Sequence, residues 1–220
     1  MDLQSNPGGF PMQLVIGNKN YSSWSLRPWL GMKVAGIAFE EILIPLYQAG
    51  SKAEILRHSP NGKVPALKDG DLLVWDTLAI AEYIAEKFPD RHLWPQDMAA
   101  RAVARSVCAE MHSGFTTLRS QCPMDIRASK QATPSPDLQN DVDRIVAIWT
   151  DCRARFGNGG AFLFDRFSWA DAFFAPVVTR FVTYGLAVPG DARRYMDTIL
   201  ALPAMQEWIA AGRAEPWEIN

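Results

Sequence analysis

The apolar residues in the first part of the chain fall into short runs separated by helix-spaced positions. Met12–Gly17 is a short apolar run, and Phe39–Leu46 carries β-branched residues in near-alternation, so both segments predict strands. Between them, apolar residues recur at helical spacing from near Ser25 to near Gly36. This strand–helix–strand order predicts a right-handed parallel unit.

The next segments extend the same sheet. Ser51–His58 predicts a short helix, and the apolar runs Val64–Leu67 and Leu72–Trp75 flank an Asp-Gly pair that is typical of a hairpin turn. Helical spacing then predicts a helix from Asp76 to Phe88. Segment 12–89 therefore predicts a βαβ–α–ββ–α domain, in which a small mixed sheet carries helices.

Strand signals disappear after segment 90–97, whose proline predicts a linker. Segment 98–220 predicts an all-helical second domain, so the predicted fold class is α/β followed by all-α. Residues 1–11 have neither a basic start nor an apolar run and predict a flexible tail rather than a secretory signal. The helical patterns of the second domain are Met98–Leu118, Val142–Phe156, Ala170–Tyr184, Asp191–Leu200 and Ala204–Ala211.

Composition narrows the class of partner. The chain has 220 residues, 48% of them hydrophobic, and a formal net charge of −2. This balance predicts no nucleic-acid or anionic-membrane surface, and the apolar stretches are shorter than the ~20 residues that span a bilayer. The three cysteines are widely spaced. They predict buried thiols in a reducing cytoplasm rather than a disulfide framework or a metal site.

Several hydroxyl side chains lie between the first predicted strand and the first predicted helix. Ser22, Ser23 and Ser25 stand where ligands bind in open α/β sheets, beside a helix N-terminus. Hydroxyls at this place can hold an anion that the helix dipole favours. They can also simply cap the helix. Position alone leaves the two interpretations equal.

Two further segments carry polar groups near the ends of strands and helices. Asn61–Leu67 is a turn that leads into a strand at Pro65. A cis bond there would turn the Val64 amide outward to pair with a peptide-like ligand, whereas periodicity alone favours an ordinary trans proline. Asp76 and Thr77 open the third helix, where capping is the simpler interpretation. The alternative is that they bind ammonium and carboxylate groups of a ligand.

Five segments together are more specific than any one of them: Ser22–Arg27, Asn61–Leu67, Asp76–Ile84, Leu93–Pro95 and the capping-box pair Ser168 and Asp171. In this order they resemble the glutathione transferase superfamily over nearly the whole chain after the predicted tail, which implies that the first domain is thioredoxin-like and binds glutathione. The first motif is most similar to serine-type, zeta-like classes, in which a serine hydroxyl hydrogen-bonds the sulfur of glutathione. The resemblance implies that Ser22 or Ser23 is this catalytic residue, without separating the two, and Tyr21 and Ser25 are weaker candidates. The zeta pattern has a cysteine where Trp24 stands.

The resemblance also implies a glutathione-binding set. Val64, ahead of a cis Pro65, would pair with the cysteinyl backbone of glutathione, and Lys63 would lie near the glycyl end. Asp76 and Thr77 match the acidic-then-hydroxyl pair that holds the γ-glutamyl group. The family more often has Glu-Ser or Gln-Ser at these two positions. No metal is implied.

A pocket for the second substrate would lie between the two domains. The residues expected to line it are Trp24, Met111, His112, Phe115 and Arg119. Met111 and Phe115 are equally well explained as ordinary core. Arg119 could bind an acidic group of the substrate or form a surface ion pair.

The resemblance implies a transferase that conjugates glutathione to a small electrophile. One alternative is a glutathione-dependent isomerase, similar to maleylacetoacetate isomerase, which would need cationic residues in the substrate pocket. Another is a non-catalytic glutathione-binding module. Members of the family are usually homodimers, so a homodimer is expected here.

Overall fold

A four-stranded mixed sheet lies in the first half of the computed structural model, which describes residues 11–219. The strand order is β2-β1-β3-β4, with β1 parallel to β2 and antiparallel to β3. The strands are β1 Gln13–Ile16, β2 Glu40–Leu43, β3 Ala66–Asp69 and β4 Leu72–Trp75. The helices of this half are α1 Ser23–Val34, α2 Ser51–His58 and α3 Thr77–Lys87.

The predicted βαβ–α–ββ–α order is confirmed, and several bounds differ: the predicted strand Val64–Leu67 lies at Ala66–Asp69, for example, and two other differences have a clear local cause. The helix α1 begins before Ser25 because the side chain of Ser22 caps it. The strand β2 is shorter than the predicted Phe39–Leu46 because the chain turns after Ile44, where Asn18 Oδ1 accepts the amide hydrogen of Leu46 at 2.6 Å. The predicted tail lies outside the described residues apart from Pro11.

The second half is helical, as predicted, and follows a short 3-10 turn at Pro89–Arg91. No helix within residues 11–219 combines the length and apolar character needed to cross a membrane. The helices are α4 Met98–Ser113, α5 Thr116–Gln121, α6 Pro136–Phe156, α7 Trp169–Thr183, α8 Gly190–Leu200 and α9 Pro203–Ala214.

The prediction of one helix over Met98–Leu118 is wrong, because the chain turns between α4 and α5. Gly114 is the C-cap of α4, and Phe115 has a left-handed backbone with φ 57°. The guanidinium of Arg119 donates to the carbonyl oxygens of Gly114, at 2.9 Å, and of Met111. These bonds satisfy carbonyl groups that the interrupted helix leaves without a partner.

The two halves meet where α1 packs on α7, and one glycine allows the close approach. A Cβ atom on Gly31 would lie 1.9 Å from the ring of Trp169 at the start of α7. The predicted capping box also lies here, since Asp171 Oδ2 accepts the amide hydrogen of Ser168 at 2.9 Å. Burial raises the pKa of Asp171 to about 6. The start of α7 is therefore fixed both by packing and by hydrogen bonds.

Gly31→Ala should destabilise the chain strongly, because the added methyl group overlaps a fully buried indole ring. Overpacking of this kind typically costs about 1–3 kcal/mol or more. Gly190→Ala is the matched control, since the nearest atom to its new Cβ would be 3.7 Å away. The free energy of unfolding in urea, measured for both variants, checks the prediction; equal values would contradict it.

Candidate functional site

The helix α1 begins under a network of serine hydroxyls. Ser22 Oγ accepts the amide hydrogen of Ser25 at 3.3 Å and donates to Ser25 Oγ at 2.8 Å. Ser25 Oγ in turn accepts the amide hydrogen of Gly17 at 3.0 Å. These bonds join the end of β1 to the start of α1. The hydroxyls of Ser22 and Ser25 therefore hold the loop in place, as the capping interpretation predicts.

Ser23 has a different partner. It is the first residue of α1 and is buried, and its Oγ accepts a hydrogen bond from Arg180 Nη2 at 3.2 Å. Arg180 lies on α7, and its Nε donates to the carbonyl oxygen of Cys122 at 2.9 Å. Burial lowers the pKa of Arg180 to about 10. Because a guanidinium group only donates, the hydroxyl of Ser23 keeps its own proton for another acceptor.

A cavity of ≈ 810 Å³ opens beside these serines. The residues that line it on the side of the sheet include Ser22, Ser23, Lys63 and Val64. On the opposite side, Met124 and Lys130 of the helical half belong to its wall. The cavity thus lies between the two halves, at the N-terminal end of α1.

A second cavity of ≈ 320 Å³ lies at the start of α3. The bond between Val64 and Pro65 is cis, as the resemblance implies. The prediction of a trans bond from periodicity is wrong here, because the spacing of apolar residues carries no information about the peptide isomer. The lining residues are Trp24, Asn61, Lys63, Val64, Pro65, Asp76, Thr77 and His112.

Two polar side chains at the start of α3 face this second cavity. Asp76 is the N-cap, and its Oδ1 accepts the amide hydrogen of Leu78 at 2.8 Å, as the capping interpretation predicts. Its Oδ2 lies 3.3 Å from Nε2 of His112 on α4. Burial is the main cause that lowers the pKa of His112. Thr77 Oγ1 is buried without a hydrogen-bond partner within residues 11–219, so it is available to a polar ligand.

Trp24 lines both cavities and is surrounded by cationic and aromatic groups. Its ring packs edge-on against His112 with 4.9 Å between the ring centroids. The guanidinium carbons of Arg27 and Arg119 lie 4.3 Å and 5.0 Å from the centroid of the Trp24 ring. Such contacts of a cation with an aromatic face are favourable, and they hold the indole in place.

The structure brings part of the predicted substrate pocket to the cavities. Trp24 lines both cavities, and His112 lines the smaller one at the start of α3. Met111 is fully buried and Phe115 nearly so, and both belong to the hydrophobic core, as the alternative interpretation has it. Arg119 donates to backbone carbonyl groups between α4 and α5 instead of forming the surface ion pair considered above.

The segment after α9 crosses over to the loop that carries the serines. The carboxylate of Glu215 accepts the amide hydrogens of Lys19 at 2.7 Å and of Asn20 at 3.0 Å. Arg127 donates to the carbonyl oxygen of Glu215 at 2.7 Å and to the hydroxyl of Tyr21 at 2.9 Å. The loop before Ser22 is therefore held from the far end of the chain.

Sequence reasoning missed the residues that support the serines from the helical half. Arg180 stood as a charged residue within the apolar run of α7, and Arg is rarely buried without a specific role. That contrast was a usable signal. Glu215 and Arg127 gave no comparable signal, because their importance depends on contacts with residues that are 196 and 106 positions away.

Family models match both halves of the chain. The N-terminal domain model of glutathione S-transferase matches residues 21–87, and the C-terminal domain model matches residues 130–211. Together these matches cover more than half of the chain. The chain belongs to the glutathione S-transferase superfamily. Within it the chain is zeta-like.

Two relatives illustrate this position in the family. The chain is 27% identical to glutathione S-transferase Z1 from Arabidopsis thaliana over 203 residues, which cover 86% of this chain and 89% of that protein. It is 35% identical to maleylacetoacetate isomerase from Rattus norvegicus over 101 residues, which cover 44% of this chain and 46% of that protein. The relatives of the chain thus include proteins named as a transferase and as an isomerase.

A solved structure shares the fold. It is a glutathione transferase homolog from Burkholderia with bound glutathione, 24% identical, with a TM-score of 0.70 over 94% of this chain and 100% of that chain.

Within the part of the chain that the structure describes, no group of three or more His, Cys, Asp or Glu side chains is arranged to hold a metal ion.

Glu215→Gln should lower the free energy of unfolding by about 1–3 kcal/mol, because the buried amides of Lys19 and Asn20 lose a charged acceptor. Glu218→Gln is the matched control, since the side chain of Glu218 is exposed. Urea unfolding measures both variants. Identical stabilities would show that the loop is held by other contacts.

Proposed function

We propose that this chain is a glutathione transferase that holds the sulfur of glutathione as a thiolate for attack on a small electrophile. The cysteinyl part would lie against Val64 and Pro65, and the glycyl end near Lys63. The γ-glutamyl group would lie against Asp76 and Thr77. The two cavities that these residues line meet at Trp24.

One observation carries the proposal. Two serines at the N-terminus of a helix, Ser22 and Ser23, line the same cavity as Lys63 and Val64. The N-terminus of a helix favours a negative charge by about 0.3–1 kcal/mol. A hydroxyl hydrogen bond to a charged acceptor adds about 1.5–3 kcal/mol. Both groups would act on the same sulfur atom.

These energies match the chemical requirement. A free thiol has a pKa near 8.5 and is only slightly ionised at neutral pH. Lowering this pKa by about 2 units requires about 2.7 kcal/mol of stabilisation that the thiolate receives and the thiol does not. The hydroxyl and the helix N-terminus together supply that amount. The proton leaves to solvent through the cavity, so no histidine base is needed.

The hydrogen bonds favour Ser23 over Ser22 as the donor to the sulfur. The hydroxyl of Ser22 is engaged with the backbone and side chain of Ser25, where it caps α1. The hydroxyl of Ser23 receives a hydrogen bond from Arg180 and retains a proton that it can donate. In this proposal, Ser22 shapes the loop and Ser23 contacts the thiolate.

Ser23→Ala should raise the pKa of the bound thiol by about 1–2 units, because one hydrogen bond to a charged sulfur is lost. Ser22→Ala should lower stability by about 0.5–2 kcal/mol through loss of the cap and change the thiol pKa less. Ultraviolet absorbance of the thiolate, followed against pH with saturating glutathione, measures both effects.

The outcomes separate the assignments. A larger shift of the thiol pKa for Ser22→Ala than for Ser23→Ala would move the catalytic role to Ser22. If neither variant shifts the pKa of bound glutathione, the serine mechanism is wrong. Tyr21→Phe tests the weaker candidate: because the hydroxyl of Tyr21 accepts from Arg127, we expect its removal to leave the thiol pKa unchanged, and a shift would assign the role to Tyr21.

A second candidate function is a glutathione-dependent isomerase of an acidic unsaturated substrate. The observation that favours it is the set of ammonium groups on Lys52, Lys63 and Lys130, which line the larger cavity and could bind a carboxylate. Relatives of the chain include an isomerase. The two functions differ in their use of the thiol, since conjugation consumes glutathione and isomerisation returns it.

We expect the free thiol to fall in step with product when a panel of small electrophiles is supplied, which is the result for a transferase. Titration of thiol during turnover measures this stoichiometry. Turnover of an unsaturated dicarboxylic acid with constant free thiol would favour the isomerase instead. Binding of glutathione without turnover of either panel would leave only a binding module.

A further inference from the structure

Three arginine side chains come together behind the loop that carries the serines. They are Arg27 on α1, Arg119 on α5 and Arg180 on α7. Within residues 11–219, none of them forms an ion pair with a carboxylate. Buried charges in proteins are normally paired, so this arrangement calls for an explanation.

Arg27 is the most isolated of the three. It is fully buried, and none of its three guanidinium nitrogens has a hydrogen-bond partner among the described residues. Its contacts are with aromatic faces: the guanidinium carbon lies 4.3 Å from the centroid of the Trp24 ring and 5.0 Å from that of Phe173. Arg27 therefore brings a positive charge to Trp24 without a direct contact to any carboxylate of the described residues.

Arg180 is the arginine that contacts a residue of the cavity wall. Its Nη2 donates to the hydroxyl oxygen of Ser23, which lines the cavity, and its Nε donates to Cys122. Its Nη1 is buried and has no partner among the described residues. Arg180 is thus fixed at two atoms and aimed at Ser23.

The three guanidinium groups destabilise each other. Burial lowers the pKa of Arg27 well below its ordinary value, and the charges of Arg119 and Arg180 lower it further. Burial also lowers the pKa of Arg180, and Arg119 adds to that effect. A negative charge placed at Ser23 would relieve this repulsion. The thiolate of the proposed function is such a charge.

We propose that Arg180 is a positioning residue for the thiolate of glutathione: its hydrogen bond to Ser23 Oγ directs the proton of that hydroxyl into the cavity, and its charge, with those of Arg27 and Arg119, favours the ionised sulfur. This inference rests on the proposed function. The donated bond from Arg180 polarises the hydroxyl and makes it a stronger donor to the sulfur.

Other titratable groups near the three arginines and around the larger cavity also affect the pKa of a bound thiol. Counted together with the three arginines, the lysines outnumber the carboxylates here, so the local field favours an anion. The groups that face the arginines are Cys108, Cys122, Tyr184, His112, Asp76 and Asp141. Those that line the larger cavity are Tyr21, Lys52, Lys63, Asp125 and Lys130.

The test is the pH dependence of thiolate absorbance for glutathione bound to the full chain. Arg180→Gln should reduce the ratio of thiolate to thiol at a given pH by about tenfold, which corresponds to a rise of about one unit in the thiol pKa. Arg180→Lys keeps the charge but not the two-point geometry, so it should fall between wild type and Arg180→Gln. Arg144→Gln, a change of an exposed arginine paired with Glu110, should leave the thiol pKa unchanged.

A double variant separates positioning from a structural role. If Arg180 acts through Ser23, Ser23→Ala combined with Arg180→Gln should shift the thiol pKa by less than the sum of the two single shifts. A purely structural role through Cys122 would lower stability and leave the thiol pKa of the folded protein unchanged. Urea unfolding of each variant measures the stability independently.

Each result decides the inference. A wild-type thiol pKa in both Arg180→Gln and Arg180→Lys, together with a shift in Ser23→Ala, overturns the role of Arg180 and leaves the proposed function intact. If Arg180→Gln does not fold, the thiol pKa of Arg180→Lys decides: a raised value supports the role, and an unchanged value overturns it. Failure of wild type to bind glutathione overturns the proposed function itself.

Discussion

Close packing of α1 on α7 is the contact on which the rest of the molecule depends. Two points of contact lie at opposite ends of this helix pair: Gly31 against Trp169, and Ser23 against Arg180. They are separated by about 12 Å along α1 at 1.5 Å per residue. Because both helices are rigid, the packing that joins the two halves also sets the position of Arg180 behind the serine loop.

The candidate site gathers polar groups that the fold leaves available. Ser23 retains a donor, the hydroxyl of Thr77 lacks a partner among the described residues, and Asp76 offers a carboxylate oxygen at the start of α3. Buried polar groups are usually paired in a folded protein. Polar groups that keep a donor or an acceptor for a ligand at the starts of two helices, beside connected cavities, are what a site for a charged, peptide-like molecule requires. Arg27, Arg119 and Arg180 likewise lack a carboxylate partner among the described residues and would stabilise a negative charge nearby.

Much of the sheet half and the positions of its motifs could be predicted from sequence, because local periodicity and turn residues specify them. Ser51–His58 and Leu72–Trp75 match the observed elements residue for residue. The break between α4 and α5 was missed, because a Gly within helical spacing does not reveal the left-handed backbone of Phe115. The support of the serines by Arg180 and Glu215 was also missed, because those contacts form only after distant segments pack together.

The tie between Glu215 and the serine loop has a consequence for the order in which the protein is made. The amides of Lys19 and Asn20 are synthesised well before their acceptor, which lies 196 and 195 positions later. Domains generally fold as units, starting from the N-terminal one. The sheet can therefore form early, whereas the loop before Ser22 gains the acceptor for these two amides only after residue 215 has been synthesised.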